Sequence, residues 1–493
     1  MSSLPSSPKR TDKSSFKDVS AADLFYQLTF MSAIAGAGLS RSKVFEIAAR
    51  STSPAAAYFA AINNLVEEFR YNYPEACRII AEKAKSEDLQ SFLFQLSDAL
   101  KSGEPLPAFL AREAQVSGDH YSNQYETNLE SLKKWSDAFS SIIVSVALIV
   151  IINLVSTMIY SMGPGVMAGM MATGAVVGFF GSWVISRAAP QEKMVGPSAE
   201  GSADQRRTLR LFKILGPAVV ASALVLLLMK AGTGWLLIVV AGLLIPVGIA
   251  SSQSDKKIGK KDDEISSFLR SVGGMASSTG TTLKEALTKI DLSSFPTLQP
   301  DIKRLSMRLT ALINPELCWQ RFAAETGSHL IKQTIGIFYD AVNVGGDPER
   351  VGFLCSLFAS KTALLRTKRR AVAATFTWLT VVMHGVVGAL MIFVLEIIHS
   401  FMTMIQSAIS PDQSAEALSA LPLSFGSADI GLLNSMTVGM IILLAVVNSL
   451  AAMASDGGYK LKTSFYLSVL LLLSGVAFLV VPPTVARVIS SVQ

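Results

Sequence analysis

Seven long, almost uncharged stretches set what this 493-residue chain can fold into. A helix needs about 20 mainly apolar residues to cross a bilayer, since lipid offers the backbone no hydrogen-bond partners and the helix must supply its own. The stretches lie at about 138–162, 165–185, 212–229, 234–250, 374–404, 430–454 and 465–485. Pro246 interrupts the fourth, which membrane helices tolerate. Charged residues make up 16% of the chain, against ~25% in soluble domains, and they concentrate between these stretches. The pattern predicts an all-α, polytopic membrane protein with about seven transmembrane helices and two cytoplasmic helical domains.

Lys and Arg in the connections set the expected orientation. The link after the second span carries Arg187, Lys193, Arg206, Arg207, Arg210 and Lys213. The segment before the fifth span ends in Arg366, Lys368, Arg369 and Arg370, and the last link holds Lys460 and Lys462. The alternate connections are poor in positive charge: 161–164 has none, 230–233 has Lys230 alone, and 406–428 carries only Asp412 and Glu416. The N-terminus and both polar domains are therefore expected in the cytoplasm and the C-terminus outside. Residues 1–20 are polar, with no apolar core or small-residue cleavage pattern, and read as a disordered lead-in without a cleaved signal. The expected domains are 21–137 and 252–373, followed by membrane blocks at 138–251 (four helices) and 374–493 (three).

The two polar domains share collinear motifs. Gly38, opening an amphipathic run to Phe45, matches Gly280 with the run to Leu287. Tyr73-Pro-Glu-Ala-Cys77 matches Asn314-Pro-Glu-Leu-Cys318, and Gly103-Glu-Pro105 matches Gly346-Asp-Pro348. The spacing between the motifs is nearly the same in both, which predicts an internal duplication. Gly38 and Gly280 suit left-handed helix ends. Pro74 and Pro315 suit the first turn of a helix, with Tyr73 or Asn314 as its cap. Gly103 and Gly346 read as tight turns.

A glycine before an amphipathic helix, a later Gly-acidic-Pro turn and then a membrane helix resemble the F domain of type II secretion systems. Two such domains, each leading into membrane spans, resemble the platform proteins of type IV filament machines. Seven spans in one chain, with Ser455-Asp-Gly-Gly-Tyr-Lys460 between the last two, are closest to the archaeal platforms of the archaellum and adhesion pili. The resemblance implies a plasma-membrane hub that binds a hexameric cytoplasmic ATPase and handles pilin or archaellin subunits.

The chain carries no phosphate-binding G-x-x-x-x-G-K-[ST] loop, no Rossmann glycine motif and no G-x-S-x-G elbow. Cys77, Cys318 and Cys355 are scattered, and His120, His329, His384 and His399 share no metal-ligand spacing. Neither catalysis nor a cofactor or metal site is expected. Lys256, Lys257, Lys260, Lys261, Arg366, Lys368, Arg369 and Arg370 flank the membrane and are candidates for contact with lipid headgroups or for docking acidic patches of the ATPase. Lacking interleaved aromatics, they do not suggest nucleic-acid binding. Within the spans, Asn153, His384 and Asn448 are candidate interhelical hydrogen-bonding residues. Gly165, Gly169, Gly174 and Gly178 form two small-xxx-small pairs suited to close packing, within the subunit or between two copies as a homodimer. A His384–Glu396 proton relay would belong to the alternative reading, a secondary transporter or channel, but about three helical turns separate the two. Transporters also place their repeat in the membrane, whereas here it lies in the polar domains.

Overall fold

The structure is a computed structural model and describes residues 16–159, 164–196, 201–229, 232–408 and 430–492. Most of the lead-in and the connections 160–163, 230–231 and 409–429 thus lie outside the described residues, Asp412, Glu416 and Lys230 among them. The described chain is helical; its one β-type pairing is an isolated bridge between Val195 and Ser328. It divides into two compact units: one of residues up to 124, 262–323 and 330–362, the other of 125–261, 324–329 and 363–493.

The first unit is built on α1 (Ala21–Ala35), which buries every residue except Ala22 and Asp23. A helix apolar all round must lie in a core. Ser20 and Asp23 form a capping box at its start. After it come α2 (Arg41–Ala49), α3 (Ala56–Glu67), α4 (Tyr73–Ala81), α5 (Glu87–Ser102) and the first part of α6 (Leu106–Ile159). The same succession recurs in the end of α9 (Thr233–Thr279), α10 (Leu283–Lys289), α11 (Gln299–Thr310), α12 (Pro315–Thr326), α13 (His329–Asn343) and the start of α14 (Pro348–Ala408). Both series pack into one body. Phe358 of α14 meets Phe25 and Tyr26 of α1 at 4.9 and 6.1 Å between ring centroids. Lys361 reaches Asp119 at 2.5 Å. Gly118 admits the Phe25 ring, and Gly273 and Gly352 let α9 and α14 cross backbone to backbone.

The motif turns hold their places with two one-residue corrections. Gly38 and Gly280 are left-handed, with φ of +72° and +58°. The cap of α4 is Asn72, not Tyr73: its carboxamide accepts from Glu75 N–H at 2.9 Å, which moves Pro74 to the second helical position. In α12 the cap is Asn314, as expected, with Pro315 first. Gly103 is left-handed at +76°, but its counterpart is Gly345 at +97°, not Gly346. The N–H groups of Glu104 and Gly346 return to Ala99 O and Ala341 O at 3.1 and 2.9 Å, so they occupy the same position after the helix end. Gly346 is needed for space: a Cβ there would lie 2.7 Å from Ala341 O.

Seven of the described helices are long and apolar enough to cross a membrane: α6, α7 (Pro164–Ala188), α8 (Ala203–Leu228), α9, α14, α15 (Ile430–Asp456) and α16 (Thr463–Val492). Their apolar parts make up most of the second unit. Leu154, Leu395, Ile398, Met402 and Leu433 join α6, α14 and α15, while Leu237, Ala445 and Leu470 join α9, α15 and α16. Gly174 and Gly178 seat α7 against Met440 and Val447 of α15, but Gly165 and Gly169 have open space where a Cβ would stand. Of the two glycine pairs, one makes the close packing inside the chain. Gly181, against Phe139 of α6, extends it.

Candidate functional site

α14 carries its basic residues in a run, and helical periodicity splits them. Arg366 and Arg369 are one turn apart on the face that packs inward, at 2% and 3% exposure, whereas Lys368 points to solvent. An arginine does not give up its charge when buried, so its five N–H groups need acceptors. Arg366 donates to Glu192 Oε1 from Nε at 2.8 Å and from Nη2 at 2.6 Å, and from Nη2 to Lys193 O at 3.3 Å. Arg369 donates to three backbone carbonyls: Ser455 O from Nε at 2.9 Å, Pro190 O from Nη1 at 2.8 Å and Ala454 O from Nη2 at 3.1 Å. Two of those carbonyls belong to the last turn of α15, where intrahelical partners have run out and a cation also opposes the helix dipole.

Beside them, the turn from α15 to α16 is held by carboxylates. Asp255 of α9, 3% exposed, accepts from Tyr459 N–H at 3.3 Å and from Lys462 Nζ at 3.0 Å. Lys462 also donates to Asp456 at 2.8 Å. Ser251 donates to Leu461 O at 3.3 Å. The two glycines of the Asp-Gly-Gly motif make room for this. Gly457 is left-handed at +70°, and a Cβ on it would strike the Arg369 guanidinium; a Cβ on Gly458 would lie 2.5 Å from Asp255 Oδ1. The α7–α8 link contributes Pro190 and Glu192 and continues as an extended segment along residues 327–329. There Gly196 N–H donates to Gly327 O at 3.0 Å and His329 N–H to Met194 O at 3.2 Å. The result is one buried polar layer that ties α9, α14, the α7–α8 link and the α15–α16 turn together.

The eight basic candidates therefore separate. Arg366 and Arg369 do not face a partner or headgroups, because the fold uses their charge internally; this corrects the expectation for these two. Arg370 lies half-buried over Gly259 of α9, where a Cβ would collide with its guanidinium. Lys256, Lys257, Lys260 and Lys368 are exposed and Lys261 partly so. Lys257 pairs with Asp204 at 2.8 Å and Lys368 with Glu126 at 2.5 Å, both at the surface, where such pairs contribute ~1 kcal/mol or less.

Among the spans, His384 and Asn448 are brought together and Asn153 is not. His384 Nε2 shares a hydrogen bond with Ser474 Oγ at 2.9 Å, and Asn448 Nδ2 lies 3.5 Å from His384 Nδ1, so one buried cluster links α14, α15 and α16. Asn153 donates to Ile149 O of its own helix at 2.7 Å, which corrects its reading as an interhelical link. Glu396 is 3.7 Å from His399. Glu192 and Asp255 escaped the sequence reading, and Asp456 entered it only as part of the Asp-Gly-Gly motif, because a carboxylate near a membrane boundary looks solvated until its partner is known. The doubled glycine at 457–458 was the one visible sign that something approaches the main chain there.

No group of three or more His, Cys, Asp or Glu side chains among the described residues is placed to hold a metal ion. Residues 28–154 match the family model described as type II secretion system (T2SS), protein F. The chain is 25% identical over 415 residues to "Flagella accessory protein J" of Methanocaldococcus jannaschii, covering 80% of this chain and 72% of the relative. It is 22% identical over 435 residues to the protein of the same name from Methanococcus voltae, covering 84% and 76%. No solved structure matches.

Proposed function

We propose that the chain is a non-catalytic membrane platform protein of the type II secretion system F family and that it couples a cytoplasmic assembly ATPase to the insertion of filament subunits, a reading supported by the family match and by the two relatives. In this reading the filament is an archaellum or a related type IV pilus, and the subunits are archaellins or pilins drawn from the membrane. The N-terminus and the helical unit lie in the cytoplasm and the C-terminus outside, as the Lys and Arg distribution argues. The two helical series descend from one duplicated domain.

The observation that carries the reading is the build of the first unit. Two helical series pack as one body through Phe25, Tyr26 and Phe358, and α6, α9 and α14 run without a break from residues of that body into apolar spans. In this reading the cytoplasmic motor acts on that body. The exposed Lys256 and Lys260 offer cationic surface to acidic headgroups or to an acidic face of the ATPase.

The test is ATP turnover by the assembly ATPase encoded with this chain, with and without the full-length protein in proteoliposomes. Stimulation, and its reduction by Lys256→Glu with Lys260→Glu, is expected. An ATPase indifferent to the protein, together with solute uptake by the same proteoliposomes, would sink the platform reading in favour of a transporter.

A further inference from the structure

Among the seven described spans, α8 alone has no part of its apolar stretch buried by the rest of the chain; only Gln205 and Thr208, near its start, are enclosed. Val219 and Ala223 pack against the cluster that joins α9, α15 and α16, with Ala218 and Ser222 half-buried beside them. The opposite side carries bulkier residues: Val220 is 62% and Leu224 56% exposed. Helix contacts inside a bilayer favour small residues, so this bulky side faces lipid. It continues into charge. Arg206, Arg210 and Lys213 lead into Pro217, Val220 and Leu224 at steps of three and four residues, so all six lie on one helix face, and all are exposed. Arg207 stands beside them. None of these four cations has an ion pair among the described residues, and Asp204, the one acidic residue of α8, is engaged by Lys257 of α9 at 2.8 Å.

A row of cations running into a row of bulky apolar residues fits an amphiphile with a negative head and a long tail. A soluble acidic protein would match the cations and leave the apolar row uncovered. A partner helix would favour small residues where α8 has Val220 and Leu224. From Lys213 to Leu224 the helix rises about 16 Å, close to one leaflet of a hydrocarbon core about 30 Å thick. Arginine and lysine reach the phosphate level along their apolar stems and give it charge-assisted hydrogen bonds. We propose that this face of α8 binds an acidic phospholipid, its headgroup on Arg206, Arg210 and Lys213 and an acyl chain along Pro217, Val220 and Leu224. The inference rests on α8 crossing the bilayer and not on the motor reading.

Native mass spectrometry of the full-length protein in detergent tests it, with dioleoylphosphatidylglycerol and dioleoylphosphatidylcholine titrated as probes of equal tail length. Phosphatidylglycerol should bind the more tightly. Arg206→Gln with Arg210→Gln and Lys213→Gln should weaken it by roughly tenfold or more and leave phosphatidylcholine unchanged. Raising the ionic strength should narrow the difference between the two lipids. As a matched control, Lys83→Gln with Lys85→Gln and Lys101→Gln removes three exposed cations of the first unit and should leave the preference intact. An unchanged gel-filtration profile and melting temperature show that each variant is folded. p-Benzoylphenylalanine placed at Val220 and irradiated in native membranes should give an adduct of phospholipid mass. Equal affinity for the two lipids, a preference that survives the α8 substitutions, or an equal loss in the control overturns the proposal. A protein-sized adduct at Val220 overturns it in favour of a partner helix.

Discussion

Arg366 holds Glu192 at 2.6 Å with 2% of its side chain exposed, so this guanidinium–carboxylate pair sits inside the protein. Removing one partner leaves the other buried and unpaired. Arg366→Met is expected to destabilise the protein by about 3–5 kcal/mol, and adding Glu192→Leu should recover most of that loss. Thermal unfolding in detergent measures both. Equal melting temperatures for the single and double variants would show that the pair is not energetically coupled.

Gly457 combines a left-handed backbone with a guanidinium in the place of a Cβ. Gly457→Ala meets about 1–2 kcal/mol of backbone strain and displaces Arg369 as well. The variant should melt below the parent protein, as thermal unfolding in detergent measures. If it is as stable as the parent, the turn adapts and the close approach is unimportant.

The glycines of α7 should divide by position. Gly178→Leu pushes against Val447, where a Cβ alone already comes within 3.1 Å, and overpacking of this kind costs about 1–3 kcal/mol. Gly165→Leu meets open space and should be close to neutral. Comparable losses at both positions would contradict the packing of α7 on α15.

Cysteine reactivity gives a chemical check on the core. Burial pushes the Cys77 thiol up to about 12, and Cys318 and Cys355 are buried as well. Since the thiolate is the reactive form, iodoacetamide at neutral pH should label the native protein slowly at all three and rapidly after unfolding. Fast native labelling of Cys77, read by mass spectrometry, is the outcome that this packing forbids.

Asp340 supplies a pH dependence. Desolvation by the surrounding chain, helped by the Glu316 carboxylate, raises its carboxyl from 3.8 to about 6. A carboxyl whose folded value is raised favours folding fully below its unfolded value, and that contribution is lost as pH climbs through about 6. Asp340→Asn should therefore melt above the parent at pH 7 and equal to it at pH 4. The gain is much smaller than the full shift implies, because the Asp340 side chain is exposed and water screens it. A difference independent of pH would assign the effect to something other than titration.

Seven apolar stretches were legible because a bilayer allows few alternatives, and the helix ends at Gly38, Gly280 and Gly103 because only glycine is at ease there. The prolines of the two motifs align in sequence, whereas the folded chain aligns the caps Asn72 and Asn314, and for the same reason Gly103 corresponds to Gly345 and not to Gly346. The polar layer was the least legible part. Arg366 and Arg369 looked like membrane-flanking charge, and nothing local distinguishes a lysine facing solvent from an arginine one turn away facing inward until the packing of α14 is known. Asn153 illustrates the converse, since a polar residue in a span can satisfy itself on its own helix.

Arg369 grips three main-chain oxygens, an acceptor that all twenty amino acids possess. Substitution at residues 190, 454 or 455 leaves the gripped atom in place, so these contacts leave no trace in pairwise covariation between positions. The selective pressure falls instead on residue 457, which must lack a side chain. Homologous sequences would record this joint as an invariant arginine and a distant invariant glycine, with unremarkable variation at every position the arginine touches.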